Sequence, residues 1–139
     1  MALVAWHDRF MTGIPTIDEQ HRTLFTAVND FYAGLQSGQP RDHVGKTLDF
    51  LVVYTARHFR TEEEAMQRHA YPERAAHSLE HYQLIQDVGV FKEQWDRQAA
   101  NLRTLEVARF LGDWLTQHIQ VRDMAFAQYL KGLGLTNLG

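Results

Sequence analysis

Between Ala76 and Leu84 the chain reads AHSLEHYQL, and within it stand His77, Glu80 and His81. Two histidines four residues apart share one face of a helix, about one turn from each other. With the glutamate between them they match the H-x-x-E-H pattern of inverted zinc peptidases. They fit equally well as two ligands of a different metal, with Glu80 a bystander. The same chemistry recurs along the chain. His58 and Glu62 are also four apart, His21 and His118 stand singly, and Asp123 follows His118 by five. Five residues leave a side chain about 140° from its starting direction on an ideal helix. Asp123 therefore joins the others only through a local widening of the helix, of the π type found at functional positions, or by an approach from the side.

The number of candidates bears on the metal. A structural or catalytic zinc takes about four ligands, whereas His21, His58, Glu62, His77, His81, His118 and Asp123 make seven. They suit two ions. If each carboxylate bridges, the pair fills four coordination positions; the five imidazoles fill five more, and one bridging oxide or hydroxide fills two. About eleven of the twelve positions of two octahedral ions are then taken, and one stays open for a small diatomic molecule. The peptidase alternative leaves His21, His58, Glu62 and Asp123 inside a core with nothing to do, a costly arrangement for ionisable groups.

These residues need elements to position them, and the apolar periodicity supplies four. Thr16 and Glu19 form a capping-box pattern. Beyond it Ile17, His21, Leu24, Val28, Phe31 and Leu35 recur at helical spacing. The run QSGQP breaks this helix, and Pro40 is suited to opening the next. The second stripe is Val44, Leu48, Leu51, Thr55, His58, Glu62 and Met66. After a turn at HAYPE, with Pro72 near the next helix start, comes a third of His77, His81, Leu84, Val88, Phe91 and Trp95. Asn101 is a plausible cap for the fourth: Val107, Leu111, Trp114, His118, Val121 and Ala125. The glycine-rich tail from Lys131 is expected to fray. The fold class predicted is all-α: an antiparallel up-down four-helix bundle with an N-terminal arm. One domain is expected over residues 1–139, with the arm at about 1–16, the helices at about 17–130 and a short C-terminal tail. Every stripe carries histidine on its apolar face, which points to one shared site.

Composition excludes other classes. There is no cysteine, so disulfides, thiolate zinc sites and iron–sulfur clusters are ruled out. A net charge of −3 gives no electrostatic reason for a nucleic-acid or anionic-membrane partner. No apolar run approaches the ~20 residues of a membrane span, and a signal-like N-terminus is interrupted by His7, Asp8 and Arg9. A soluble, cytoplasmic domain is the expectation.

The spaced set His21, His58-x-x-x-Glu62, His77-x-x-x-His81 and His118-x-x-x-x-Asp123 resembles the hemerythrin family, most closely its bacterial single-domain members. So do the stretches GIPTIDEQH (13–21), HFRTEEEAM (58–66) and WLTQHIQVRD (114–123). The resemblance covers nearly the whole chain. It implies two Fe ions bridged by an oxo or hydroxo group and two carboxylates, with O2 as ligand. His77, His81 and His118 would hold one iron, His21 and His58 the other, with Glu62 and Asp123 bridging. In that family each ferrous ion gives an electron to O2, held as hydroperoxide hydrogen-bonded to the bridge. The family's apolar oxygen pocket corresponds to Leu24, Phe59, Trp114, Leu115 and Ile119.

The resemblance thus implies reversible oxygen binding: a carrier, store or supplier of O2, not an enzyme, possessing no catalytic residues. It also implies a monomer that serves an oxygen-consuming enzyme. The alternatives are an O2 sensor signalling through a partner, and a di-iron oxidase or peroxidase-like enzyme. Glu63, Glu64 and Glu80 are read as lying off the ligand faces, and His7, His43 and His69 as exposed. Trp6, Phe10 and Ile14 are expected to pack the arm over the bundle.

Overall fold

Pro15 opens the first helix, its fixed φ suited to a first turn and its missing N–H no loss there. In the computed structural model, which describes residues 2–138, this helix α1 spans Pro15–Gln36. It is followed by α2 (Arg41–Arg68), α3 (Arg74–Asp96) and α4 (Thr104–His118). A π-helical turn, Ile119–Asp123, then carries the chain without a break into α5 (Met124–Gly132). The helix start differs from the capping-box expectation. Thr16 lies inside the first turn, and the N-cap residue Ile14 makes no side-chain bond. Asp18 organises the entry instead. Its Oδ1 accepts from the Thr12 N–H and hydroxyl at 2.8 Å each, and its Oδ2 from the Gly13 N–H at 3.1 Å. Gly13 turns the chain at φ +84°, where a side chain is disfavoured. Asn101 likewise does not cap α4, whose N-cap position is Arg103.

The helix ends share one device. At the ends of α1, α2, α3 and α5, the N–H two residues past the cap bonds back five positions: Gln39 to Gly34, Tyr71 to Met66, Ala99 to Gln94 and Leu135 to Leu130. These are Schellman closures with a left-handed residue at the turn. Gly38 and Gly134 take that place in two, but Ala70 (φ 50°) and Gln98 (φ 54°) take it in the others.

The helices form the predicted four-helix bundle, with α4, the π turn and α5 together making its fourth member. α1 packs against α2 and α4, and α2 also against α3. The core has two parts. Leu24, Phe25, Val28, Phe31, Leu48, Leu51, Leu84, Leu111 and Leu115 fill one end. Ile14, Ile17, Met66, Tyr71, Phe126 and Leu130 fill the other. Between the two lie the polar residues described below. The arm covers one side: Trp6 and Phe10 each meet Phe25 edge-on and are tilted against each other. Val4 pairs through its N–H and carbonyl with the Asn29 amide.

Three further expectations from the sequence differ from the structure. Beyond His118 the stripe of Val121 and Ala125 is exposed, and Asp123, Phe126, Ala127 and Leu130 are buried in its place. The π turn inserts one residue and rotates everything after it. The tail does not fray through Leu138: that residue is buried, and its carbonyl accepts from Arg68 Nη2 (3.0 Å) and His69 Nε2 (2.8 Å). His69 is consequently half-buried, while His7 and His43 are exposed as expected.

Candidate metal centre

Each helix of the bundle sends histidine or carboxylate side chains into the polar layer. His21 comes from α1, His58 and Glu62 from α2, His77 and His81 from α3, His118 from α4, and Asp123 from the π turn. None of the seven is more than 2% exposed. The π winding resolves the difficulty at Asp123: five residues beyond His118, its Oδ1 still comes within 3.2 Å of His118 Nε2.

The seven sort into two donor groups. In the first, His118 Nε2 lies 3.1 Å from His77 Nε2 and 3.0 Å from His81 Nε2. That spacing is roughly the edge of an octahedron whose metal–nitrogen bonds are ~2.1 Å. Glu62 Oε1 and Asp123 Oδ1 face this trio, at 3.2 Å from His81 and 2.9 Å from His77 respectively. The second group is His21 and His58. Asp123 Oδ2 lies 2.8 Å from His21 Nε2, and Glu62 Oε2 lies 3.5 Å from His58 Nε2. Both carboxylates belong to both groups, one oxygen turned to each.

Close approach here does not mean hydrogen bonding. His21 Nε2, His58 Nε2 and all four oxygens of Glu62 and Asp123 are buried without a hydrogen-bond partner among the described residues. The short His21–Asp123 contact is thus an approach of poorly aligned groups aimed at a common point. Buried polar atoms left unpaired on such a scale are expensive. A pair of cations between them would satisfy them all, so the residues present fit a two-metal centre.

Titration behaviour in the metal-free site agrees. Burial opposes charge on His21, but the adjoining Asp123 and Glu62 outweigh it and lift its pKa to about 9. His77 is raised in the same way, against burial, to about 10. At His58 burial prevails and lowers the value to about 4. Burial pushes Glu62 and Asp123 upward, yet the surrounding histidines hold both carboxyls well below the usual range. The layer is built to hold positive charge, which protons supply when metal does not.

The far nitrogens of three rings are also fixed. His58 Nδ1 lies 2.6 Å from Gln20 Oε1, His81 Nδ1 2.8 Å from Glu63 Oε2, and His118 Nδ1 2.8 Å from Glu80 Oε1. An oxygen acceptor there puts the proton on Nδ1 and leaves the Nε2 lone pair facing inward. Glu80 is held in turn by Arg122 of the π turn. Two corrections follow: Glu63 is no mere solvated surface charge, and Glu80 is no bystander. There is a pattern to these residues. Gln20 is next to His21, Glu63 next to Glu62 and Glu80 next to His81, and each reaches the histidine of the following helix. A polar residue flanking a candidate ligand was the available signal.

Aromatic rings hold the imidazoles from the side. Phe59 stacks on His81 at 3.7 Å between centroids, and Trp114 on His118 at 4.4 Å. Immediately beyond them is a cavity of about 20 Å³ lined by Leu24, Phe59, Leu84, Leu111, Trp114 and Leu115 among others. Thr55 also borders it, but its hydroxyl donates to the Leu51 carbonyl at 2.6 Å. Ile119 is fully buried in the same apolar cluster but does not line the cavity.

Comparisons with known proteins point the same way. The model of the hemerythrin HHE cation binding domain matches residues 12–130. The chain is 36% identical over 131 residues to a bacteriohemerythrin of Stenotrophomonas maltophilia, covering 94% of this chain and 84% of that one. It is 34% identical to the bacteriohemerythrin of Methylococcus capsulatus, covering 94% and 98%. The fold superposes on a wild-type hemerythrin crystal structure with a TM-score of 0.85 at 33% identity, over 91% of this chain and 97% of that one.

Proposed function

This chain belongs to the hemerythrin family, and on that premise we propose that it binds O2 reversibly at a non-haem di-iron centre. His77, His81 and His118 would hold one iron and His21 and His58 the other. Glu62 and Asp123 would bridge the two. The observation that carries this reading is the sharing of both carboxylates between two donor groups, one oxygen to each. The trio with its two oxygens offers five donors and the pair with its two offers four. With a single oxo or hydroxo bridge, the side held by His21 and His58 would be the one left with room for a further ligand.

When bound and ferrous, the irons supply the electrons by which O2 is held. The protein's part is to position, exclude and insulate. Gln20, Glu63 and Glu80 orient three imidazoles by their outer nitrogens. Phe59 and Trp114 clamp two of those rings face to face. The apolar cavity is large enough for about one small molecule, and a void so lined stays dry. Leu24, Phe59, Trp114 and Leu115 thus make an oxygen-sized vestibule that keeps water and protons away, with Ile119 in the same buried apolar cluster. Five neutral imidazoles against two carboxylates give weaker support to high-valent iron than a carboxylate-rich bundle site does. That favours carriage or storage of O2 over oxidation chemistry.

The test is a spectrophotometric O2 titration of the anaerobically reduced, iron-loaded protein. Uptake of one O2 per two irons, reversed by removing oxygen, supports the proposal. Irreversible bleaching to a ferric product, or turnover of an added reductant, would replace it with the enzyme reading.

A further inference from the structure

The two donor groups differ in the charge of the groups behind them. Behind the trio stand two carboxylates: Glu63 on His81 and Glu80 on His118, each 2.8 Å from the ring Nδ1. Behind the pair stands one neutral amide, Gln20, 2.6 Å from His58 Nδ1. The Nδ1 atoms of His21 and His77 have no hydrogen-bond partner among the described residues. An anionic acceptor draws the Nδ1 proton toward itself and makes the imidazole a more basic, more electron-rich ligand. An amide oxygen fixes the ring just as well but does this far less. From this asymmetry we infer that Glu63 and Glu80 make the three-histidine position the one that better holds ferric iron, so that the two-histidine position, with Gln20 behind it, is reduced first and oxidised last.

The inference rests on the di-iron reading above. It concerns positioning residues that act through His81 and His118 without touching iron themselves. Solvent and a counter-ion limit the size of the effect. Glu63 is 39% exposed, and Glu80 shares its charge with Arg122. Each is expected to change the ferric-over-ferrous preference of its iron by about tenfold, or ~59 mV for a one-electron step.

Three variants keep the hydrogen bond and change only its charge: Glu63→Gln, Glu80→Gln and Gln20→Glu. Iron is counted first, then the two one-electron midpoint potentials are measured by anaerobic titration. Two irons per wild-type chain uphold the reading on which the inference rests; fewer would defeat that reading itself. With two irons present, the Gln variants should raise mainly the lower potential, and Gln20→Glu should lower mainly the higher one. All three then narrow the gap between the steps. A merely structural role would lose iron or leave both potentials in place. Unmoved potentials, or Gln variants that shift mainly the higher step, would overturn the inference. Should Glu80→Gln fail to hold iron, the half-exposed Glu63 and the Gln20 variant decide it.

Discussion

His118 Nε2 and Asp123 Oδ1 approach to 3.2 Å although five residues separate them, because the helix between them is π-wound. The extra residue of that turn bulges outward at Val121, which is 52% exposed. Deleting Val121 would bring the spacing to four, which a plain α-helix accommodates with both side chains still inward. The downstream core residues Phe126 and Leu130 keep their faces. We expect the variant to fold with unchanged helical content by circular dichroism. One regained helical hydrogen bond should make the metal-free protein more stable by about 1 kcal/mol. A collapse of the fold would show that the bulge holds the bundle together and does more than aim Asp123.

Asp18 anchors the arm to α1 through three accepted hydrogen bonds while only 4% exposed. Asp18→Ala strands the N–H and hydroxyl donors of buried Thr12 and unpairs the N–H of exposed Gly13. A loss of about 1–3 kcal/mol in urea unfolding is expected from such unsatisfied groups. No measurable change would mean that water replaces the carboxylate freely.

Leu24→Ala enlarges the cavity beside the metal layer. Truncating a buried leucine costs about 2–5 kcal/mol, and the wider void can admit water. The iron-loaded variant should autoxidise faster than the parent, followed as decay of the oxygenated spectrum. An unchanged decay rate would remove the cavity from the account of O2 protection.

The metal-free protein should lose stability on the alkaline side. His21 and His77, raised to about 9 and about 10, stabilise the fold fully below their unfolded value near 6.5. That contribution drains away as pH rises from about 6.5 through 9 and 10. His58, lowered to about 4, contributes in the other sense: its share is present above 6.5 and lost as pH falls toward 4. Thermal melts of apo-protein should therefore be highest near neutrality and fall toward pH 10. Filling the site with metal should remove the alkaline decline, since cations then hold the charge. A flat alkaline limb in the apo-protein would contradict the charge balance described here.

Much of this was legible in the sequence, for physical reasons. The inward stripes of α1, α2 and α3 keep strict helical spacing, so periodicity alone put His21, His58, Glu62, His77 and His81 on facing surfaces. Periodicity failed where the winding changed. A fixed 100° step assigns Val121 and Ala125 to the core, and no local residue in IQVRD announces a π turn. Helix starts were misread at Thr16 and Asn101 because a capping pattern says what could bond, not which residue the tertiary fold leaves unpaired. The turns at Ala70 and Gln98 were equally silent, since neither residue favours the left-handed conformation it takes. Glu63 and Glu80 were passed over because each reaches across to the next helix, and cross-helix contacts leave no trace in spacing along one helix.

On the proposed function, two donor groups sharing Glu62 and Asp123 hold two irons. Anomalous diffraction at the iron edge from crystals of the iron-loaded protein tests it most directly. Two peaks are expected between those carboxylates, one beside His77, His81 and His118 and one beside His21 and His58. A single peak, or zinc within the trio and nothing beside His21 and His58, would contradict the account.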